Sequence, residues 1–213
     1  GDGCDQGICG WGNDELQEYT DQESNVFIEN GRLILKATKE TEGYLSGRIL
    51  TKNKKDFQFG RIDIRAKLPY GQGMWPALWM LGDNISEVGW PRCGEIDIME
   101  NRGQNMEEVD GTVHYETTQY EFSSSKYILN NDGGFQDKFH VFSILWDKDK
   151  ITWFVDYKAF KTLTVDQIGN TYPFNARFYF LMNLAVGGRY VGNPDQSTQF
   201  PQQMDIDYIR VFQ

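Results

Sequence analysis

The chain has 213 residues, enough for one domain with a full core, and 15% of them are aromatic. Its formal charge of -10 argues against nucleic acid and anionic membranes, whose binding rests on Lys and Arg. No apolar run approaches the roughly 20 residues of a membrane span, and no signal peptide is present, as in a mature or trimmed chain.

The N-terminal stretch GDGCDQGICGWG places Cys4 and Cys9 close together among glycines. They form either a small-loop disulfide, which would suit an extracellular protein, or two free thiols. Cys93 is left over, and His114 and His140 lie far apart, so a zinc site is not expected. NVFIENGRLILKAT reads as two strands around the hairpin signal Asn30-Gly31. GRIDIRAKLP alternates Ile62, Ile64 and Ala66 with charged residues, as a half-buried strand does. Next comes a tryptophan-rich segment with Trp75, Trp79 and Trp90, followed by CGEIDIMENRG. In NMEEVDG, Glu107, Glu108 and Asp110 read as a solvated acidic loop. The Ser/Asn/Gly-rich stretch 119–135 reads as a long loop. HVFSILWDKDKITWFVDYK is strand, turn, strand; VDQIGN contributes a helical turn; ARFYFLMNLAVGG and MDIDYIRVFQ are further strands. Many short strands with Gly/Asn/Asp turns predict an all-β, two-sheet sandwich of jelly-roll type. A curved outer face of such a sandwich makes a groove for a polymer.

CGEIDIMENRG carries the chemistry. In a strand, Glu95 and Asp97 share one face while Ile96 and Ile98 point to the core. Strict alternation would put the third acid at 99, but Met99 stands there and the acid is Glu100. Glu100 joins the other two only if a β-bulge inserts one residue at about Ile98–Met99. Carboxylates this close cannot all ionise readily, so at least one pKa should rise. One ionised and one protonated carboxyl are what retaining glycoside hydrolysis needs. An acidic edge strand or a calcium site would also fit this spacing. The neighbouring tryptophans favour sugar chemistry, because indole faces stack on pyranose rings, although any one of them could be core. His114, on the strand predicted in DGTVHYE, is a further candidate for the groove.

Taken together, GEIDIME, GMWPALWML, GWPRCGE, GWGNDELQEYT, MNLAVGG and DYIRVF closely resemble glycoside hydrolase family 16. Within it the chain is most similar to the laminarinase (endo-β-1,3-glucanase) branch, which carries the extra residue in E-I-D-x-x-E. The resemblance covers nearly the whole chain and implies a β-jelly roll with a concave substrate cleft, as a single catalytic domain spanning 1–213. It implies Glu95 as nucleophile, Asp97 as assisting acid and Glu100 as general acid/base. It also implies sugar contacts from Asn13, Arg48, Trp75, Trp79, Trp90, His114 and Asn183. Many family members hold one structural calcium ion, and Gly31 and Asp207 stand at two of its ligand positions. The sequence starts inside the Gly-rich loop, where family members usually have a preceding strand, so either the chain is trimmed or the strand is supplied otherwise, and the resemblance assigns no third ligand. No cofactor is implied for catalysis. The implied partner is a β-glucan polysaccharide, met outside the cell by a monomer. A mixed-linkage β-1,3-1,4-glucanase and a non-catalytic β-glucan-binding module on the same fold are the competing expectations.

Overall fold

A computed structural model describes residues 1–130 and 133–213. Two short 3₁₀ turns, Cys4–Gln6 and Cys9–Gly12, precede the strands, and Cys4 and Cys9 form a disulfide. The strands are β1 (Gln17–Tyr19), β2 (Val26–Glu29), β3 (Arg32–Lys39), β4 (Tyr44–Ser46), β5 (Arg48–Leu50), β6 (Asp56–Phe57), β7 (Gly60–Lys67) and β8 (Met74–Gly82). They continue as β9 (Glu95–Glu100), β10 (Glu108–Glu116), β11 (Tyr120–Ile128), β12 (His140–Trp146), β13 (Lys150–Val155), β14 (Lys158–Thr164), β15 (Phe178–Val186) and β16 (Gln202–Phe212). Single helical turns α1 (Ile85–Val88) and α2 (Val165–Ile168) complete the list of elements.

The strands form two sheets. One runs β1-β4-β3-β16-β7-β12-β13-β14, with β2 beside β3; the other runs β11-β10-β9-β8-β15-β5, with β6 beside β15. Inward side chains from both sheets meet in one core, including Ile62, Ile64, Ile96, Ile98, Met99, Phe142, Trp146 and Trp153. This is the all-β jelly-roll sandwich expected from the alternation. Local chemistry sets its corners. Asn30 and Gly31 both take positive φ, 50° and 77°, which matches the two-residue turn joining β2 to β3. Thr164 and Gln167 cap α2 reciprocally.

Two expectations are corrected. The stretch 119–135 was expected as a loop, but Tyr120–Ile128 is strand β11, paired with all of β10 from Glu108↔Ile128 to Glu116↔Tyr120. Its exposure alternates along its length, because one face only meets the sandwich. Serines that favour loops in isolation are held by the ladder, since strand preference depends on the partner strand. Residues 131–132 of that stretch lie outside the described residues. The acidic segment after β9 is likewise not a solvated loop throughout. Glu108 and Asp110 belong to β10, and Asp110 is buried against Arg102 at 3.2 Å and the Tyr190 hydroxyl.

Candidate active site

β9 is an interior strand, flanked by β8 and β10. On β8, Glu95 opposes Leu81, Asp97 opposes Trp79, Met99 opposes Leu78 and Glu100 opposes Ala77. Ile98 has no partner in this register, and on β10 the pairing steps from Asp110↔Glu100 to Thr112↔Asp97, passing over Gly111. A bulge therefore sits at Ile98–Met99. Ile98 and Met99 both go into the core, and the strand resumes with Glu100 on the face of Glu95 and Asp97. Gly111, opposite the bulge, has no room for a side chain: a Cβ there would lie 2.7 Å from Trp153 Cδ1 and 2.9 Å from Phe160 Cζ.

The two outer acids each have an indole donor. Trp90 Nε1 donates to Glu95 Oε2 at 2.7 Å, and Trp75 Nε1 donates to Glu100 Oε1 at 3.0 Å. His114 Nε2 lies 3.2 Å from Asp97 Oδ2 and 3.9 Å from Glu95 Oε1. The Tyr120 hydroxyl meets the other ring nitrogen of His114 at 2.6 Å. Burial pushes all three carboxyls up, Glu95 and Glu100 to about 8 and Asp97 to about 7. The charge of Asp97 adds to the rise at Glu95 and Glu100, whereas His114 and the indole donors oppose it. Glu95 and Asp97 are hydrogen-bonded to each other, so their proton belongs to the pair. The cluster can thus hold an ionised carboxylate and a carboxylic acid together near neutral pH.

Segment 83–94 brings Trp90 to Glu95. It folds back on the outer face of the sheet, where Cys93 joins Leu81, Tyr179 and Leu181 in a small apolar cluster with Ile85 packed beside it. Gly82 lets this return pass closely, since a Cβ there would meet the Cys93 carbonyl at 2.1 Å.

On the other side of the acids a polar chain runs through the cleft. Trp79 Nε1 donates to Asn183 Oδ1 at 2.7 Å, Asn183 Nδ2 donates to the Tyr19 hydroxyl at 3.0 Å, and Tyr19 donates to Glu15 Oε2 at 3.3 Å. Asn13 Nδ2 reaches Glu15 Oε1 at 3.2 Å. The Arg48 guanidinium lies 4.4 Å from the ring centre of Trp11 and 5.2 Å from that of Trp79. Beyond Glu95, the rings of Trp90, His114, Tyr120 and Phe122 form a second wall, with Trp90 and Tyr120 5.3 Å apart and His114 stacked on Tyr120 at 5.8 Å.

The expected sugar-contact residues therefore join one connected surface: Trp75, Trp90 and His114 touch the acids, while Trp79, Asn183, Arg48 and Asn13 extend from them. Arg92, beside Trp90 in sequence, is held by Glu116. Four participants were missed. Glu15 and Tyr19 sit in an N-terminal segment with little alternation to mark them. Tyr120 and Phe122 were hidden by reading β11 as a loop, although their spacing of two was a strand signal.

The pairing Ile206↔Leu33 brings Asp207 toward the Gly31 turn, the two expected calcium positions, but Asp207 is not free there. Asp207 Oδ2 is already taken by the Arg65 guanidinium, which occupies the charge-neutralising position that a calcium ion would need. Among the described residues, the His/Cys/Asp/Glu group whose ligand atoms lie within 4.8 Å of one another is Glu95, Asp97 and His114, which is the acid cluster itself.

Comparison with known proteins agrees with this geometry. The family model "Glycosyl hydrolases family 16" matches residues 13–210. A glucan endo-1,3-beta-glucosidase A1 of Niallia circulans is 39% identical over 98% of this chain, which spans 33% of that relative. A beta-glucanase of Rhodothermus marinus is 38% identical over 98% of this chain and 77% of its own length. The laminarinase catalytic domain of Thermotoga maritima MSB8 superposes with a TM-score of 0.92 at 46% identity, covering 99% of this chain and 88% of that one. With its fold, its bulged acidic strand and this match over nearly its full length, the chain belongs to glycosyl hydrolase family 16.

Proposed function

We propose that the domain is an endo-acting, retaining hydrolase of β-1,3-glucan. Glu95 attacks the anomeric carbon and forms a glycosyl-enzyme. Glu100 passes its proton to the departing glycosidic oxygen, then takes one from the water that releases the sugar. Asp97 shares the proton of Glu95 and steadies its charge as attack begins.

The observation that carries this reading is the bulge, which sets Glu95, Asp97 and Glu100 on one face, with the outer two each held by an indole N–H. The indole bonds also favour the planar, sugar-stacking use of Trp75 and Trp90 over a core role, and both rings remain partly open to solvent. The enzymes named in the comparisons support β-1,3-glucan as the substrate. The Cys4–Cys9 disulfide supports a location outside the cell, where such bonds persist, and the domain is taken to act as a monomer. Sugar binding by Asn13, Arg48, Trp79 and Asn183 belongs to this same proposal.

Reducing ends released from laminarin, lichenan and agarose, side by side, test it. Laminarin should be cut fastest, to short oligosaccharides, and Glu95→Ser and Glu100→Ser should each abolish turnover while laminarin still binds. Bound but uncut laminarin with the unaltered protein would contradict the hydrolase reading and point to a binding module. Faster cutting of lichenan would contradict the linkage.

A further inference from the structure

Lys161 is a buried lysine on β14, at the rim where β14 approaches β11 of the opposite sheet. A buried ammonium is costly unless its donors are satisfied. Here Nζ donates to the Gly111 carbonyl at 3.0 Å and to the Ser123 carbonyl, and it lies 4.6 Å from the ring centre of Trp153. Trp153 in turn donates Nε1 to the Asp97 carbonyl at 2.9 Å. Gly111 is the residue that the register skips opposite the bulge, and its missing Cβ makes room for Trp153. Lys161, Trp153 and Gly111 therefore form one assembly behind the acidic strand, on the side away from the cleft. The carboxylates that offset the cost of burying this cation are Asp97 first and Asp110 second.

We infer that Lys161 is a positioning residue for the acid cluster: it fastens the strand opposite the bulge and, through Trp153, stands as a positive charge behind the backbone of Asp97. This inference rests on the reading of Glu95, Asp97 and Glu100 as the reacting acids. Around Asp97 stand Glu95 and Glu100 on its own strand, His114 on β10 with Tyr120 of β11 behind it, and Lys161 from β14. The hydrogen bond from Glu95 and the charge of Lys161 both favour ionised Asp97 against the cost of its burial. Lys161 is the cation in this set that does not need an imidazole proton. Burial holds the Lys161 pKa down to about 8, and Asp97 works against that fall, so each group favours the charged form of the other.

Two titrations followed by carbon-13 NMR test the inference without reference to any substrate. In Lys161→Met, the Asp97 carboxyl should titrate about 1 pH unit higher than in the unaltered protein, whereas Lys161→Arg should restore it. In Asp97→Asn, the Lys161 Cε signal should titrate lower than in the unaltered protein, by a similar amount, because the coupling is mutual. The second titration leaves the lysine and its packing in place, so it stands even if Lys161→Met fails to fold. On laminarin, the acid limb of kcat/KM should rise with the Asp97 titration in Lys161→Met and return in Lys161→Arg. An Asp97 or Lys161 titration unmoved by the partner's substitution would overturn the inference, as would a lower kcat with both limbs in place, which marks a merely structural role. Absence of laminarin hydrolysis by the unaltered protein would instead count against the proposed function and leave both NMR results to decide the role of Lys161.

Discussion

Trp90 donates its indole N–H to Glu95 Oε2 at 2.7 Å from a loop that crosses the outer face of the sheet. The bond favours the ionised form of a carboxyl that burial and Asp97 push toward the protonated one. A hydrogen bond to a charged group contributes about 1.5–3 kcal/mol, or about 10- to 100-fold in a rate that needs the charge. Trp90→Phe keeps a ring and loses the donor. It should lower kcat/KM on laminarin by about tenfold or more and shift the acid limb of the pH profile upward. A loss seen only in KM, with the limb unmoved, would assign Trp90 to stacking alone.

In the proposed mechanism, Glu100 is protonated when the leaving oxygen departs. Its pKa, raised to about 8 mainly by burial, places the alkaline limb of activity near pH 8. Glu100→Gln should remove that limb and slow laminarin cleavage by at least about 100-fold. A β-glucoside with an acidic phenol as leaving group needs little proton donation and should lose far less in its first step. Equal losses on both substrates would argue against Glu100 as the acid.

The same shift has a consequence for stability, with a definite sign. The folded-state pKa of Glu100 lies above its ordinary value of 4.5, so its contribution to stability is fully present below about pH 4.5 and is lost as pH rises through about 8. Glu100→Gln removes a charge that is costly to bury only when it is ionised. The variant should therefore melt above the unaltered protein at about pH 9, by about 2–4 °C per kcal/mol relieved, with the gap closing at about pH 4. Thermal melts across this range check the sign, and a variant less stable at pH 9 would contradict it.

Gly111 carries a steric prediction that is separate from the chemistry. Gly111→Ala drives a methyl against Trp153 and Phe160, at a cost of about 1–3 kcal/mol. Because Trp153 also holds the Asp97 carbonyl, activity should fall along with melting temperature. An alanine variant with both quantities unchanged would show that the strand opposite the bulge yields easily.

Calcium removal offers a different kind of check. Arg65 already neutralises Asp207, so melting in a chelator and in millimolar calcium should coincide to within about 1 °C. A higher melting temperature in calcium would mean that the ion displaces Arg65.

Some of this was legible in the sequence because it follows from strict periodicities. The alternation in β7 and β9 places Ile62, Ile64 and Ile96 in the core, and the one-residue delay of Glu100 requires the bulge that the register shows. β11 was not legible. Its serines and nearby glycine read as loop, and only the length of β10 beside it makes Tyr120 and Phe122 part of the cleft wall. The pairing of Asp207 with Arg65 was also hidden, because it joins residues on β16 and β7 that are remote in sequence. Lys161 gave no signal at all. A lysine in an alternating strand reads as a solvent-facing residue, and its burial depends on the edge of one sheet closing over the edge of the other.

Double displacement requires a covalent bond between Glu95 and the sugar. Incubation with a 2-deoxy-2-fluoro-β-laminaribiosyl fluoride, followed by proteolysis and mass spectrometry, tests that most directly. The fluorine at C2 slows both steps and the fluoride leaves without an acid, so the glycosyl-enzyme should accumulate, with the label on Glu95. A label on Glu100 or Asp97 would contradict the assignment, and laminarin hydrolysis with inverted products and no label would contradict double displacement itself.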